Sequence, residues 1–298
     1  MLRRKPLEVM PSAIVQMIIM GLLLGGWFAV LSYGLSIALG IIREINVAHG
    51  ALVVLSAYLS YMSLSLWHMN PFLSLVWITP AMFALGWMLQ RFMLSKARRV
   101  GSNDVVITTF AISIILANLL QIFFTSNTKS LILPYDLLSL SVANIKIPLI
   151  EVLDFVAGVT TYAVLTVIFK RTMIGKAMRA LPVDEISAQL IGINPQTIYP
   201  VAMGLAMAVA SVAGVFLGSM FPFTPDSGTT YLLLAFGVVV FGGLGNLLGT
   251  LIGGIILGEL FVFAGYYIGA EYQTTITLLI IVAVLIMMPR GLFKGEVF

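Results

Sequence analysis

Residues 227–268 read SGTTYLLLAFGVVVFGGLGNLLGTLIGGIILGELFVFAGYYI, with Glu259 the only charged side chain among them. A membrane-spanning helix needs about 20 apolar residues, and this stretch is about twice that length. Near its middle stands Gly242-Gly243-Leu244-Gly245-Asn246, a glycine-rich turn signal. The stretch therefore reads as two crossings, a short one at 229–241 and a full one after the turn.

Working outward, nearly uncharged stretches recur at 12–42, 47–67, 72–90, 105–128, 150–169, 197–221 and 272–289. The first is again too long for one crossing. Leu31-Ser32-Tyr33-Gly34 lies near its middle, so it is read as a crossing followed by a second short one at 33–45. Each short crossing has about 13 residues, about 20 Å of helix. That is less than the hydrocarbon core, so these helices must be buried in protein or line a cavity. The positive-inside rule supports both splits. With them, the basic clusters at 3–5, 91–99, 170–179 and 290–294 and Arg43 fall on the cytoplasmic side, and only Lys129 and Lys146 fall outside. The expectation is an all-α integral membrane protein, one domain over 1–298, with about ten crossings (eight full, two short) and both termini in the cytoplasm.

Composition agrees. The chain is 60% hydrophobic and 9% charged, where soluble domains carry about 25% charged residues. It has no cysteine, which excludes disulfides, thiolate metal sites and a Cys nucleophile. The basic start, Arg3, Arg4 and Lys5, precedes an apolar run too long for a secretory signal, so that run is expected to remain as the first helix.

The splits suggest an internal repeat. A short crossing, a turn and two full spans occur at 33–90 and again at 229–289, with turns at Asn46-Val47-Ala48-His49-Gly50 and Gly242–Asn246. Repeats with short or interrupted helices are a recurring transporter plan, with the substrate path where the halves meet. Gly21 and Gly25, Gly214 and Gly218, Gly249 and Gly253, and Gly254 and Gly258 are each four apart, a spacing that lets helices approach closely in lipid.

Few side chains are candidates for chemistry. His49 reads as a gate or proton carrier, or as an imidazole bonded to a neighbouring helix that fixes the Asn46–Gly50 turn; the second reading is favoured. Glu259 is an ionisable group at membrane depth. It either faces the pathway, pairs with Arg43, or is bonded across helices. Arg43 and Glu44 either form an ion pair lining a gate or snorkel to the boundary. Asn118 and Gln121 line the path or bond between helices. Asp136, Glu151, Asp154, Asp226 and Glu271 form an acidic outer rim, either a docking surface for a binding protein or ordinary surface charge.

The longest cytoplasmic loop runs over about 171–195. Pro182 suits a first helical turn, Asp184 and Glu185 favour its N-terminal end, and Gly192 closes it. Ile186, Leu190 and Ile191 form an apolar stripe. Such a helix either inserts into a partner's groove or rests on the membrane interface.

This loop, from Gly175-Lys176-Ala177-Met178-Arg179-Ala180 to Gly192-Ile193-Asn194, resembles that of branched-chain amino acid ABC permeases of the LivH/LivM type. Ile45-Asn46-Val47-Ala48-His49-Gly50 is similar to that family's Ile-Asn-Phe-Ala-His-Gly signature, with Val47 in place of Phe. Phe241–Asn246 is similar to its Gly-Gly-Ile-Gly-Ser turn, with Leu244 and Asn246 as departures, and Pro289-Arg290-Gly291-Leu292-Phe293 to its terminal motif. The resemblance implies a type II ABC importer bundle in the inner membrane. Its partners would be a second permease of the same family, two ATPases carrying the ATP and Mg, and a substrate-binding protein. Gly175, Arg179, Asp184, Glu185, Ala188, Leu190 and Gly192 would belong to the coupling loop that docks on an ATPase. Asn46, His49, Gly50, Gly242, Gly243, Gly245, Asn246, Glu259 and Arg43 would mark the pathway or gate. The substrate would be a branched-chain or similar small amphipathic amino acid, with urea or short amides as the alternative.

The chain's own residues agree that the motor lies elsewhere. The phosphate-cradling G-x-x-x-x-G-K-[ST] pattern is missing, since Gly175-Lys176 is followed by Ala177. With His49 and His68 as the only histidines, no catalytic or metal constellation is expected, and no nucleic-acid partner. An ion-coupled secondary transporter is the rival class, and Glu259 is nearly its only coupling candidate.

Overall fold

The computed structural model describes residues 11–287 apart from 132, 134–137 and 143–144. The N-terminal basic cluster, Asp136 and the Pro289–Phe293 motif lie outside the described residues. Among those described, eight helices are long and apolar enough to cross a membrane, and a ninth is shorter.

The first helix, α1, runs Pro11–Ile37 and continues through a π turn, Ala38–Ile42. From Ala13 to Ile42 it has 30 residues, about 45 Å of helix. The expected break at Leu31–Gly34 does not occur. The Ser32 hydroxyl donates back to the Phe28 carbonyl at 2.6 Å, and Gly34 serves packing: a Cβ there would lie 2.5 Å from the Ala206 carbonyl oxygen. A tilted helix accommodates the extra length. The break falls instead at 43–48, where Arg43 has φ 59°.

Then follow α2 (His49–Trp67), α3 (Pro71–Met88), a second π segment (Leu89–Leu94), α4 (Ser95–Val100) and α5 (Ser102–Phe124). A hairpin of β1 (Ser139–Val142) and β2 (Ile145–Pro148) leads into α6 (Leu149–Arg171). Two short helices, α7 (Met173–Ala180) and α8 (Glu185–Leu190), precede α9 (Pro195–Met220). A 3-10 turn, Pro225–Ser227, opens α10 (Gly228–Gly242). After it come α11 (Leu247–Tyr267) and α12 (Gln273–Met287). The expected split of the long seventh stretch is present, with Gly243 at φ 84° and Gly245 at φ 77° making the turn.

One end of the bundle is basic. Arg43, Arg91, Lys96, Arg98, Arg99, Lys170, Arg171, Lys176 and Arg179 cluster there, while Lys129 and Lys146 lie at the end that carries the hairpin. Ala13 of α1 lines a cavity at the hairpin end together with Pro148, Met220 and Gln273, and α12 descends past Gly237 toward the basic end. The described residues thus start at the hairpin end and stop toward the basic end; the termini themselves lie outside the described residues. The missing turn at 31–34 leaves an odd number of passages between the two.

The repeat exists with a different register. The unbroken α1 and α9, antiparallel to each other, form the centre. α1 packs along α11 and α10, and α9 packs along α3 and α2. Exchanging α1 with α9, α2 with α10 and α3 with α11 maps these contacts onto one another. The Trp27 indole N–H donates to the Ala213 carbonyl, while Gly34 abuts Ala206. The same sequence offset separates Trp27 from Ala206 and Gly34 from Ala213, so the two contacts swap. The counterpart of the short α10 is therefore α2, not the expected 33–45.

The glycine spacing resolves into interfaces. Gly21 and Gly25 on α1 meet Gly254, Ile255 and Gly258 on α11; Gly249 and Gly253 meet Gly242 on α10; Gly214 meets Val53 and Ser56 on α2.

Candidate functional site

The helices α2 and α10 both start inside the bundle. The chain re-enters after Arg43, and the buried His49 donates from Nε2 to the Leu31 carbonyl, 2.8 Å away and near the middle of α1. Its neighbour Gly50 touches the start of α10 so closely that a Cβ would collide with the Gly228 carbonyl. The re-entrant turn is held by Asn46, whose Oδ1 accepts from the Ala48 N–H at 3.0 Å, and by the Val47 N–H, which donates to Thr109 on α5 at 3.2 Å.

Beside these two helix starts lies a cleft of about 330 Å3. Val47, Ala51 and Leu232 form one wall, Phe110, Ile114, Ser113 and Asn118 of α5 the other, and Asp226 and Thr229 lie at the α10 start. Helix N-termini carry partial positive charge and unpaired N–H groups, which favour anionic groups of a solute. Among the described residues, Asn118 and Ser113 bond to carbonyls of their own helix, at Ile114 and Phe110. Gln121 pairs with Ser126 instead and is not among the residues that line the cleft.

The residues expected to mark one pathway fall into separate places. Asn46, His49 and Gly50 support the cleft from behind, since Asn46 and His49 are buried and neither side chain lines it. Gly242, Gly243, Gly245 and Asn246 lie at the basic end. There Gly245 packs on Gly40, Asn246 caps α11 through the Gly249 N–H at 2.8 Å, and Thr250 bonds Ser36 at 3.1 Å. Glu259 sits near the hairpin end against Gly21, and its Oε2 is buried without a hydrogen-bond partner among the described residues. Arg43 is at the other end of α1, so the expected pairing of Arg43 with Glu259 is excluded by distance along one helix. Asp154 is no rim residue; it is fully buried against α1 near Trp27.

Glu44 pairs not with Arg43 but with Arg98, at 3.5 Å. Burial raises its carboxyl above the usual range, opposed by a hydrogen bond from Gln90 and by Arg98. Arg98 also reaches Glu185 at 3.4 Å and stacks over Tyr199 at 4.5 Å, and the Tyr199 hydroxyl donates to Glu185 at 3.1 Å. One guanidinium thus joins the end of α1, α4, α8 and the start of α9. Composition gave no signal for this hub, because its members are distant in sequence.

The loop between α6 and α9 folds largely as read. Asp184 caps α8 by accepting from the Ile186 and Ser187 N–H groups at 3.0 and 3.1 Å. Hydrogen bonds from Ser187 hold its carboxyl below the usual carboxylate range. Gly192, at φ 90°, ends the turn. Pro182 stands before the helix rather than in its first turn. Gly175 lets α7 press against the Ile168 carbonyl of α6. Ile186 is 75% exposed and Leu190 83%, whereas Ala188 is 2% exposed and packs inward. Ala188 therefore belongs to the chain's own core, and the free apolar surface is formed by Val183, Ile186, Leu190 and Ile191.

Residues 17–288 match the family model described as "Branched-chain amino acid transport system / permease component". The chain is 27% identical to the high-affinity branched-chain amino acid transport system permease protein LivH of Salmonella typhimurium, over 93% of this chain and 94% of that protein. It is also 27% identical to BraD, the permease protein of the same description from Pseudomonas aeruginosa, over 93% of this chain and 95% of the relative. A shorter likeness, 36% identity over 30% of each chain, is to the ribose import permease protein RbsC of Escherichia coli. No solved structure matches the chain. A match over nearly the whole chain places this protein in the branched-chain amino acid transport system permease family.

Proposed function

We propose that the chain is one permease subunit of an ABC importer in the cytoplasmic membrane, carrying leucine, isoleucine, valine or a similar small amphipathic amino acid inward by alternating access. The basic end is the cytoplasmic one, by the positive-inside rule. A second permease of the same family closes the cleft that α5 leaves open, and two ATPases bind at the basic end and supply the ATP chemistry. A soluble binding protein delivers solute at the hairpin end.

The observation that carries this reading is the apolar patch on the basic-end loop. Val183, Ile186, Leu190 and Ile191 are exposed where the charges are densest, and Arg98 ties the helix that bears them to the end of α1 and the start of α9. An exposed apolar patch rimmed by polar groups marks a protein-contact surface. Movement imposed on α8 would be passed to the two central helices, on which α2 and α10 pack.

Co-purification of the tagged chain from native membrane tests this, comparing wild type with Ile186→Glu plus Leu190→Glu. ATPases should co-elute with the wild type and be lost from the double variant, with the chain itself still monodisperse. A wild-type chain that elutes without ATPases and still transports solute would move the case to ion coupling. The buried Asp154 carboxylate and the buried Oε2 atom of Glu259, unpartnered by side chains among the described residues, are the observation that favours that second reading.

A further inference from the structure

Asp226 stands apart from the other carboxylates. It lies in the turn Pro225–Ser227 that leads into α10, and it lines the cleft beside the helix starts. Its place beside the helix starts follows from its neighbours. Gly228, two residues on, abuts Gly50 and Ala51, and the adjoining His49 is bonded near the middle of α1. The capping box of this turn uses the Thr224 and Ser227 hydroxyls and leaves the Asp226 carboxylate without a part. No base neutralises it: among the described residues both ion pairs belong to Arg98, at the basic end. Lys129, tied to the same turn through Phe223, places its ammonium over the Tyr61 ring, 5.4 Å from the centroid.

Exposed in this cleft and without an ion-pair partner among the described residues, the Asp226 carboxylate is free to meet water or a cation. The rest of the cleft says which cation suits it. Asn118 adds an amide on the opposite wall, and Phe110, Ile114, Val47 and Leu232 supply apolar surface. A volume of about 330 Å3 holds one small solute. The matching chemistry is a primary ammonium on a short apolar body.

We propose that Asp226 recognises the ammonium group of the transported solute and so selects amino acids over uncharged solutes such as urea and short amides. This rests on the reading of the chain as an amino-acid permease.

The test uses the whole transporter, with its ATPases and binding protein, in proteoliposomes, and L-leucine as the probe. Asp226→Asn should lower leucine uptake at subsaturating concentration by about tenfold or more, because one partner of a desolvated charge pair is lost. Asp226→Glu should keep it within about threefold, since the charge remains. Both variant assemblies should be recovered with all subunits in wild-type proportions and the same monodisperse elution, which separates recognition from misfolding. The chain has no cysteine, so Asp226→Cys gives this chain a single thiol. It should react with a membrane-impermeant thiol reagent, as a position facing water does. Unchanged leucine uptake by Asp226→Asn, or an unreactive Asp226→Cys, would overturn the proposal while leaving the permease function in place. A wild-type assembly that does not carry leucine would remove the amino-acid reading and this proposal with it.

Discussion

Gly34 and Gly243 each stand near the middle of an apolar stretch too long for one crossing, and they do opposite things. Gly34 lies inside the unbroken α1, pressed against the Ala206 carbonyl and the His49 ring. Gly243 leaves the helix with φ 84° and, with Gly245, turns the chain into α11. The residue type is the same and so is its hydropathic setting. What differs is the neighbour: a crossing helix that needs a missing Cβ in one case, and in the other a backbone conformation that a Cβ would strain. A glycine in lipid therefore marks either a close approach or a turn.

The contrast can be broken by substitution, and detergent-solubilised chain offers the readout. Gly34→Leu should have the largest effect, because backbone of α9 and the His49 ring occupy the space. A loss of about 3 kcal/mol or more is expected, seen as collapse of the monodisperse peak in size exclusion. A well-behaved Gly34→Leu protein would mean that α1 and α9 are not in contact there. Gly243→Ala should cost about 1–3 kcal/mol from its backbone conformation alone, a measurable fall in thermal midpoint with the fold intact. If Gly243→Ala were as damaging as Gly34→Leu, the distinction between packing and turning would be wrong. Asn246→Ala removes the cap on the Gly249 N–H and should cost about 1 kcal/mol. Ser32→Ala should change the midpoint least, by less than about 0.5 kcal/mol, since its hydroxyl only bonds back to its own helix. A large effect of Ser32→Ala would signal a hidden break in α1.

The same logic explains which parts of the candidate site were legible. The α8 helix could be read because its signals are local: Asp184 and Glu185 toward its N-terminal end, the apolar residues after them, and Gly192 as stop. The direction of its faces could not, so Ala188 reads as a docking residue until its burial shows that it packs inward. Asn46, His49 and Gly50 were conspicuous as a motif, yet their side chains support the cleft rather than line it. The polar residues that do line it, Ser113, Asn118, Asp226 and Thr229, come from α5 and the α10 start. Nothing in the sequence brings those segments together. Asp154 read as part of an outer rim because it is near a predicted helix end, whereas α6 in fact carries it under α1.

Composition and hydropathy by themselves determined that this chain is a helical membrane protein, that 227–268 is two helices, and that its positive charge gathers at one end. These are properties summed over many residues, and lipid enforces them whatever the packing. Only the tertiary structure decided that 12–42 is one helix, that α2 and not 33–45 is the partner of α10, and that Arg98 joins the loop to the central helices. Each of those depends on contacts between residues far apart in the chain, where the energy resides in the fit of two surfaces and not in the identity of either residue.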